Sequence, residues 1–359
     1  MQLIVTVKRL NKRRVIPVQF PDRDNIIGEV KEGFTFEGTE VMTVPNPALG
    51  KWYKDRDGHF YWGGGLKEVP LFKNILESNN VSWWINALGL PGIWTTLNEK
   101  GANAKVAVID SGYNVNNPEI NDGVVGTFLH PSFIGHTTIQ DNVGHGSYCS
   151  SIIGARNRTN TIGCAPECQL YISKMTNGSS FNKNNMVDAI EDAIKSEVDV
   201  ISISNGGVAF DKLQAVVKKA VEKNIIVVAA IGNNEDMSSP HEGGDFPALY
   251  SESLAVGATD RSNKLALVTL INAKTEINAP GQDIPGYINQ NIPEKFEDST
   301  SAATAIVAGV CALVISRHKK LGKPFTSATI KKLVTDFFEP IPENPSQKII
   351  SPSKIFKHI

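Results

Sequence analysis

Asp110 closes the apolar run VAVID and is followed at once by Ser111-Gly112. His145 stands between Gly144 and Gly146 in DNVGHGS. Asn233 follows Gly232 directly after the apolar run IIVVAAI. Ser301 follows Thr300 and opens the long apolar stretch SAATAIVAG. A hydroxyl, an imidazole, a carboxylate and a side-chain amide are what acyl transfer requires: a nucleophile, a base for its proton, an anion to fix the base's tautomer, and a donor for the developing oxyanion. A Ser at a helix start adds its own N–H, one of the unpaired first-turn donors. Taken singly, each residue also has an ordinary reading: a turn Asp after a strand, a helix-start His, a turn Asn and an N-cap Ser. Four such residues in the order Asp, His, Asn, Ser, each in its own local context, are poorly explained as four accidents.

These side chains need a scaffold that collects them. From Lys105 onward, continuous apolar runs alternate with amphipathic ones. Strands are expected at 105–109, 169–174, 198–204, 225–230 and 253–257. Helices are expected at 184–196, 211–223, 301–317 and 327–337. Strands apolar from end to end, separated by helices, predict an α/β fold with a mainly parallel sheet covered on both faces. In such a sheet the chemistry belongs at the carboxyl ends of strands. The predicted organisation is a small β-barrel over 1–70, a linker and helical lead-in over 71–104 pinned by Trp83, Trp84 and Trp94, and a catalytic domain over 105–359. In the first region strands are expected at 3–7, 15–20, 34–44 and 60–62, with turns at 22–24, 45–49 and 55–58. The basic cluster Lys8, Arg9, Lys12, Arg13 and Arg14 reads as a solvated turn between strands.

The blocks VAVIDSG, DNVGHGS, VVAAIGNN, AVGATD, INAPG and STSAATAIVAG resemble, in this order, the signature blocks of the subtilisin family. The likeness runs from about Trp94 to the end of the chain. It implies a serine endopeptidase in which Ser301 attacks, His145 carries the proton, Asp110 orients His145, and Asn233 holds the oxyanion. Ser204-Asn205-Gly206 resembles the family's edge strand that pairs with the substrate backbone. Asp245, two residues before Pro247, matches a position near the floor of the family's S1 pocket, and a carboxylate there implies a preference for Lys or Arg at P1; a solvated loop Asp and a calcium ligand are the competing readings. Three departures stand out. Ser299 replaces the family's Gly before Thr-Ser, Thr304-Ala305-Ile306 replaces Ser-Pro-His, and Tyr148-Cys149 replaces His-Val. The alternative is a catalytically weak binding or scaffold protein on the same fold. Residues 10–41 together with GKWYKDRDGHFYWGGGL resemble a bacterial SH3 domain. Trp52, Tyr53, Tyr61 and Trp62 are then candidates for an aromatic groove taking a peptide or cell-wall ligand, or for packing.

Composition narrows the rest. The chain has 359 residues and a formal net charge of −1, which gives no global attraction to nucleic acid or an anionic membrane. No stretch reads as a membrane span. The N-terminus has its apolar run before its basic residues, the reverse of a secretory signal, and predicts a cytoplasmic protein. The four cysteines, Cys149, Cys164, Cys168 and Cys311, form neither a disulfide framework nor a zinc pattern, and Cys149 and Cys311 read as buried thiols. The expected partner is a protein or peptide substrate. No cofactor and no catalytic metal is expected. A structural calcium ion is compatible with the resemblance, but no spacing identifies its ligands.

Overall fold

In the computed structural model, residues 2–5, 7–17, 25–31, 35–41, 43–55, 57–69, 82–131, 138–157, 161–178, 183–235, 243–288, 293–295 and 298–359 are described. The expected turn at 22–24 and residues 71–81 of the expected linker lie outside them. The chain divides into two compact units, Met1–Asn80 and Val81–Ile359.

The first unit is an antiparallel sheet of seven strands: β1 (Gln2–Val5), β2 (Arg9–Arg13), β3 (Ile26–Lys31), β4 (Thr35–Glu40), β5 (Trp52–Asp55), β6 (Phe60–Trp62) and β7 (Leu66–Val69), in the order β3-β2-β6-β5-β4-β1-β7. The basic cluster is not a turn. Arg9–Arg13 forms β2, with Leu10 turned inward among Val7, Val30, Tyr61 and Leu66. Arg13 is 5% exposed and donates to Asn25 Oδ1 at 3.0 Å. Long cations are compatible with a strand, because such side chains lay their methylene stems along a sheet. Residues 15–17, expected as strand, lie beyond it, and Val15 is exposed. Of the four candidate groove aromatics, Trp52 and Tyr61 are buried and Trp62 is exposed. Asp55 ties the β5–β6 hairpin by accepting from the His59 N–H, His59 Nδ1 and Tyr61 Oη.

The second unit opens with α1 (Trp83–Ala87) and α2 (Leu90–Thr96). Its sheet then takes β8 (Lys105–Asp110), β9 (Val124–Leu129), β10 (Gln169–Lys174), β11 (Val200–Ile203), β12 (Ile226–Ala230), β13 (Leu254–Thr259) and β14 (Ile277–Pro280). A small hairpin, β15 (Pro285–Tyr287) with β16 (Pro293–Lys295), stands apart. The C-terminal pair β17 (Phe338–Ile341) and β18 (Asn344–Ile350) returns to the main sheet. The order is β17-β18-β14-β13-β12-β11-β8-β10-β9, parallel throughout except for β17–β18. The chain first builds to one side of β8, then crosses it to start β11. The β8/β11 boundary is therefore the topological switch point, where ligands sit beyond the carboxyl ends of strands.

The remaining helices are α3 (Pro118–Asn121), α4 (His145–Gly154), α5 (Lys183–Lys195), α6 (Asp211–Glu222), α7 (Thr300–Lys320), α8 (Ser327–Asp336) and α9 (Pro352–Ile355). Helices α5 and α6 pack with Ala107, Ile109, Ile201, Ile203, Val227 and Ala229 in one cluster. Strand alternation sends Val106, Val108, Val200 and Val228 to the opposite face. There α7 lies across β11 to β14, with α4 against it. Helix α7 is long and apolar enough to cross a membrane by length and composition, but it is buried within the protein from Thr300 to Ser316. It is the core helix of this unit. All four cysteines are free and buried.

Candidate active site

Strand β8 ends on Asp110, which is 1% exposed. Both its carboxylate oxygens lie 2.9 Å from His145 Nδ1. An ionised carboxylate only accepts, so Nδ1 carries the proton and Nε2 is the basic nitrogen of the neutral ring. Two further donors hold the carboxylate: the Ser111 N–H on Oδ1 at 2.8 Å and Asn205 Nδ2 on Oδ2 at 3.2 Å.

His145 is the first residue of α4, capped by Gly144 with φ of 95°. That entry is held by Asp141, a residue the sequence reading passed over. Its Oδ1 accepts from Ser111 Oγ and from the Val143 and Gly144 N–H groups, and its Oδ2 from the Ser147 N–H and Oγ, all at 2.7–2.9 Å. The signal was an Asp just ahead of a glycine-flanked helix start, where Asx turns and caps belong. Lys174, almost wholly buried, lies behind this loop and donates to the Gln140 carbonyl. Burial pulls its ammonium below the ordinary lysine range, against the opposing charge of Asp141. Gly146 lets α4 sit against the exit of β8: a Cβ there would fall 2.2 Å from the Gly112 carbonyl oxygen.

Burial disfavours the charged imidazole of His145. The Asp110 carboxylate, and after it the Cys149 sulfur at 4.0 Å from Nδ1, outweigh that and hold it well above the ordinary histidine range. Cys149, one of the departures noted above, is thus part of the imidazole's surroundings.

Ser301 is the second residue of α7 and is 4% exposed. Its Oγ is 3.4 Å from the Ser204 carbonyl oxygen, and Ser204 Oγ donates to the Ser301 carbonyl at 3.3 Å. Ser204 and Asn205 follow β11 directly, so one dipeptide touches Ser301 through its first residue and Asp110 through its second. Ser299 caps α7, its Oγ accepting from the Ala302 N–H at 3.4 Å. Its φ of −161° is extended backbone, so the Cβ that replaces the family's glycine is accommodated without strain.

Asn233 emerges from β12 and forms an isolated bridge with Thr269. Its Oδ1 accepts from the Thr300 N–H at 2.9 Å and from Thr300 Oγ1 at 2.8 Å. Two donors on one atom fix it as the oxygen and turn the NH₂ outward. Among the described residues neither Asn233 Nδ2 nor the Ser301 N–H has an acceptor. Two oriented donors beside a hydroxyl at a helix N-terminus suit a developing oxyanion. Thr300 is the second residue that sequence reasoning missed.

Asp245 lies between the segments that follow β11 and β12. Its N–H donates to the Ile231 carbonyl at 2.8 Å, and the Phe246 N–H to the Gly207 carbonyl at 2.8 Å. A Cβ on Gly206 would fall 2.5 Å from Asp245 Cβ, and one on Gly232 2.8 Å from Asp245 Oδ2. Both glycines leave room for this half-buried carboxyl, which burial pushes above the usual aspartate range.

Residues 101–339 match the model of the subtilase family. The chain is 35% identical over 294 residues to Subtilisin NAT of Bacillus subtilis subsp. natto, covering 81% of this chain and 74% of that protein. It is 30% identical over 265 residues to the Major intracellular serine protease of Bacillus subtilis strain 168, covering 72% and 82%. Among solved structures, a mutant of the protease domain of PatA aligns with a TM-score of 0.64 at 25% identity, over 72% of this chain and 96% of that one.

Proposed function

Since the chain belongs to the subtilase family and is a serine endopeptidase of the subtilisin type, we propose that Ser301, His145, Asp110 and Asn233 carry its reaction. Ser301 Oγ attacks the scissile carbonyl as His145 Nε2 takes its proton. Asp110 holds the ring and stabilises the imidazolium. The tetrahedral oxyanion is met by Asn233 Nδ2 and the Ser301 N–H. Collapse gives the acyl-enzyme, with His145 returning the proton to the leaving amine. Water, activated by the same base, then hydrolyses the ester. The observation that carries this reading is the carboxylate–imidazole pair at the end of β8, joined through the adjacent Asn205 and Ser204 to Ser301 at the start of α7, where Asn233 is anchored on Thr300. A fluorophosphonate probe tests it: covalent labelling of the native protein is expected, and folded protein that never labels would refute it.

The substrate backbone is proposed to pair with Ser204-Asn205-Gly206, so that main-chain bonds supply binding and pockets supply choice. Asp245 then faces the P1 side chain and favours Lys or Arg. A charge-assisted hydrogen bond in a half-buried site is worth about 1.5–3 kcal/mol, or about 10- to 100-fold. Asp245→Asn is therefore expected to lower kcat/KM for a P1-Arg peptide by about that factor while leaving a P1-Leu peptide within about twofold. Equal cleavage of the two peptides by the native enzyme would remove the proposal.

No cofactor is needed for this chemistry. Among the described residues two side-chain clusters bring three ligand-type groups together, Asp110-His145-Cys149 and Asp55-Asp57-His59. Neither is the all-oxygen cage that calcium prefers, and the first is accounted for by the triad. We expect a chelator to leave the chemical step unchanged; a fall in melting temperature of several degrees in EDTA, reversed by calcium, would show a structural ion. The N-terminal sheet, with Trp62 exposed, is proposed to recruit a peptide or cell-wall ligand. A cytoplasmic location is supported by the relative named as an intracellular protease.

A further inference from the structure

Asp110 is held by three residues besides its own backbone: His145, Ser111 and Asn205. The first is the base it orients. The second donates from the adjacent peptide and is unavoidable once the strand turns. Asn205 is different. It reaches Asp110 Oδ2 from a position 95 residues away in sequence, and it does so from the segment whose backbone is proposed to bind substrate.

We propose that Asn205 is a positioning residue for the triad, its side-chain amide fixing the Asp110 carboxylate and moderating its pull on His145 from within the substrate-binding strand. The proposal rests on the catalytic roles given above. With the Ser111 N–H on one oxygen and the Asn205 amide on the other, the carboxylate cannot rotate about its Cβ–Cγ bond without losing a donor. Its plane is therefore set for the two equal contacts to Nδ1. The same amide draws charge away from Oδ2. A carboxylate that donors share stabilises an imidazolium less than a bare one. Hydrogen bonds to the charged form are the strong kind, so the effect on proton affinity is measurable.

Among the described residues, the charged or titratable groups that bear on His145 include Asp110, Cys149, Asp141 and Lys174. Asp110 faces it from β8 and Cys149 from the next turn of its own helix. Asp141, with Lys174 behind it, reaches the site through Ser111 Oγ. Asn205 itself carries no charge, so its removal alters the site by taking away one donor and adding no ion.

The test is the pH profile of kcat/KM on a P1-Arg peptide for the native enzyme, Asn205→Leu and Asn205→Asp. The base must be neutral to accept the Ser301 proton, so activity falls as pH drops through the His145 titration. In the native enzyme that acid limb is expected above the ordinary imidazole range. Asn205→Leu keeps the side-chain shape but loses the donor, and its limb is expected to rise by about half a pH unit, or about threefold in proton affinity. Asn205→Asp adds a second anion and should raise it further. On the alkaline plateau, kcat is expected to fall about fivefold in Asn205→Leu with KM within about twofold, since the backbone that pairs with substrate is unchanged. A merely structural role would not order the two limbs in this way. Limbs that coincide with the native one in whichever variant folds would overturn the proposal. Failure of the underlying catalytic reading looks different: the native enzyme itself would not label with a fluorophosphonate or cleave the peptide.

Discussion

Ser301→Ala is expected to lower kcat on a P1-Arg peptide by about 10⁶-fold, the magnitude known for loss of this nucleophile in subtilisin itself. The residual rate should still exceed the uncatalysed one, because Asn233 Nδ2 and the residue 301 N–H survive the change. The fold should hardly notice. Among the described residues the Ser301 hydroxyl makes one long hydrogen bond, 3.4 Å to the Ser204 carbonyl oxygen, and alanine keeps the helix start intact. A melting temperature within a few degrees of the native value, together with complete loss of fluorophosphonate labelling, is the expected pair of results. Labelling that persists in Ser301→Ala would place the nucleophile elsewhere.

Asn233 gives the second large effect, and its geometry says how to measure it. The oxyanion exists only in the transition state and intermediate, so a donor aimed at it lifts kcat and leaves KM nearly alone. In subtilisin the loss of such a donor costs about 10²–10³ in kcat. Asn233→Ala would mix that loss with another. Asn233 Oδ1 also accepts both Thr300 donors at the start of α7. Orphaning those two buried groups is expected to destabilise the protein by about 1–3 kcal/mol. Asn233→Asp separates the two roles: it keeps an oxygen for Thr300 and removes the NH₂. The expected outcome is a fall of about 10²–10³ in kcat for both variants, with a marked drop in melting temperature only for Asn233→Ala. A variant Asp that retains full kcat would show that Nδ2 does not meet the oxyanion.

Much of this site could be read from the residues, and the reason is local. Asp110, His145, Asn233 and Ser301 each sit at the junction of an apolar run and a turn, where strand ends and helix starts announce themselves. The strands β8, β11 and β12 are almost wholly apolar between their ends, β10 has an apolar centre flanked by polar residues, and all four were legible for the same reason. What escaped was either half-exposed or long-range. Strand β9 alternates between partly and fully exposed positions at the sheet edge and carries Gly126, so it lacks the buried-strand pattern. Strand β2 is written mostly in cations, and its single inward leucine is too little signal for a period. Ser204, Asn205 and Gly206 were read for their backbone, but no local rule sends the Asn205 amide to Asp110. That contact exists only once β11 has been laid beside β8. Thr300 was likewise silent until β12 delivered Asn233 to the start of α7.

The placement of Ser301 on α7 has a consequence for the enzyme's safety. Helix α7 is enclosed by the parallel sheet and by α4, so nothing short of dismantling this core carries the serine away, and nothing short of a finished core brings it in. Local opening elsewhere leaves the hydroxyl where it was. A partly assembled copy, by the same token, has no working nucleophile and cannot digest its neighbours while they fold. Thermal inactivation should accordingly track the cooperative melting of the peptidase unit, with no earlier, separate loss of cutting power.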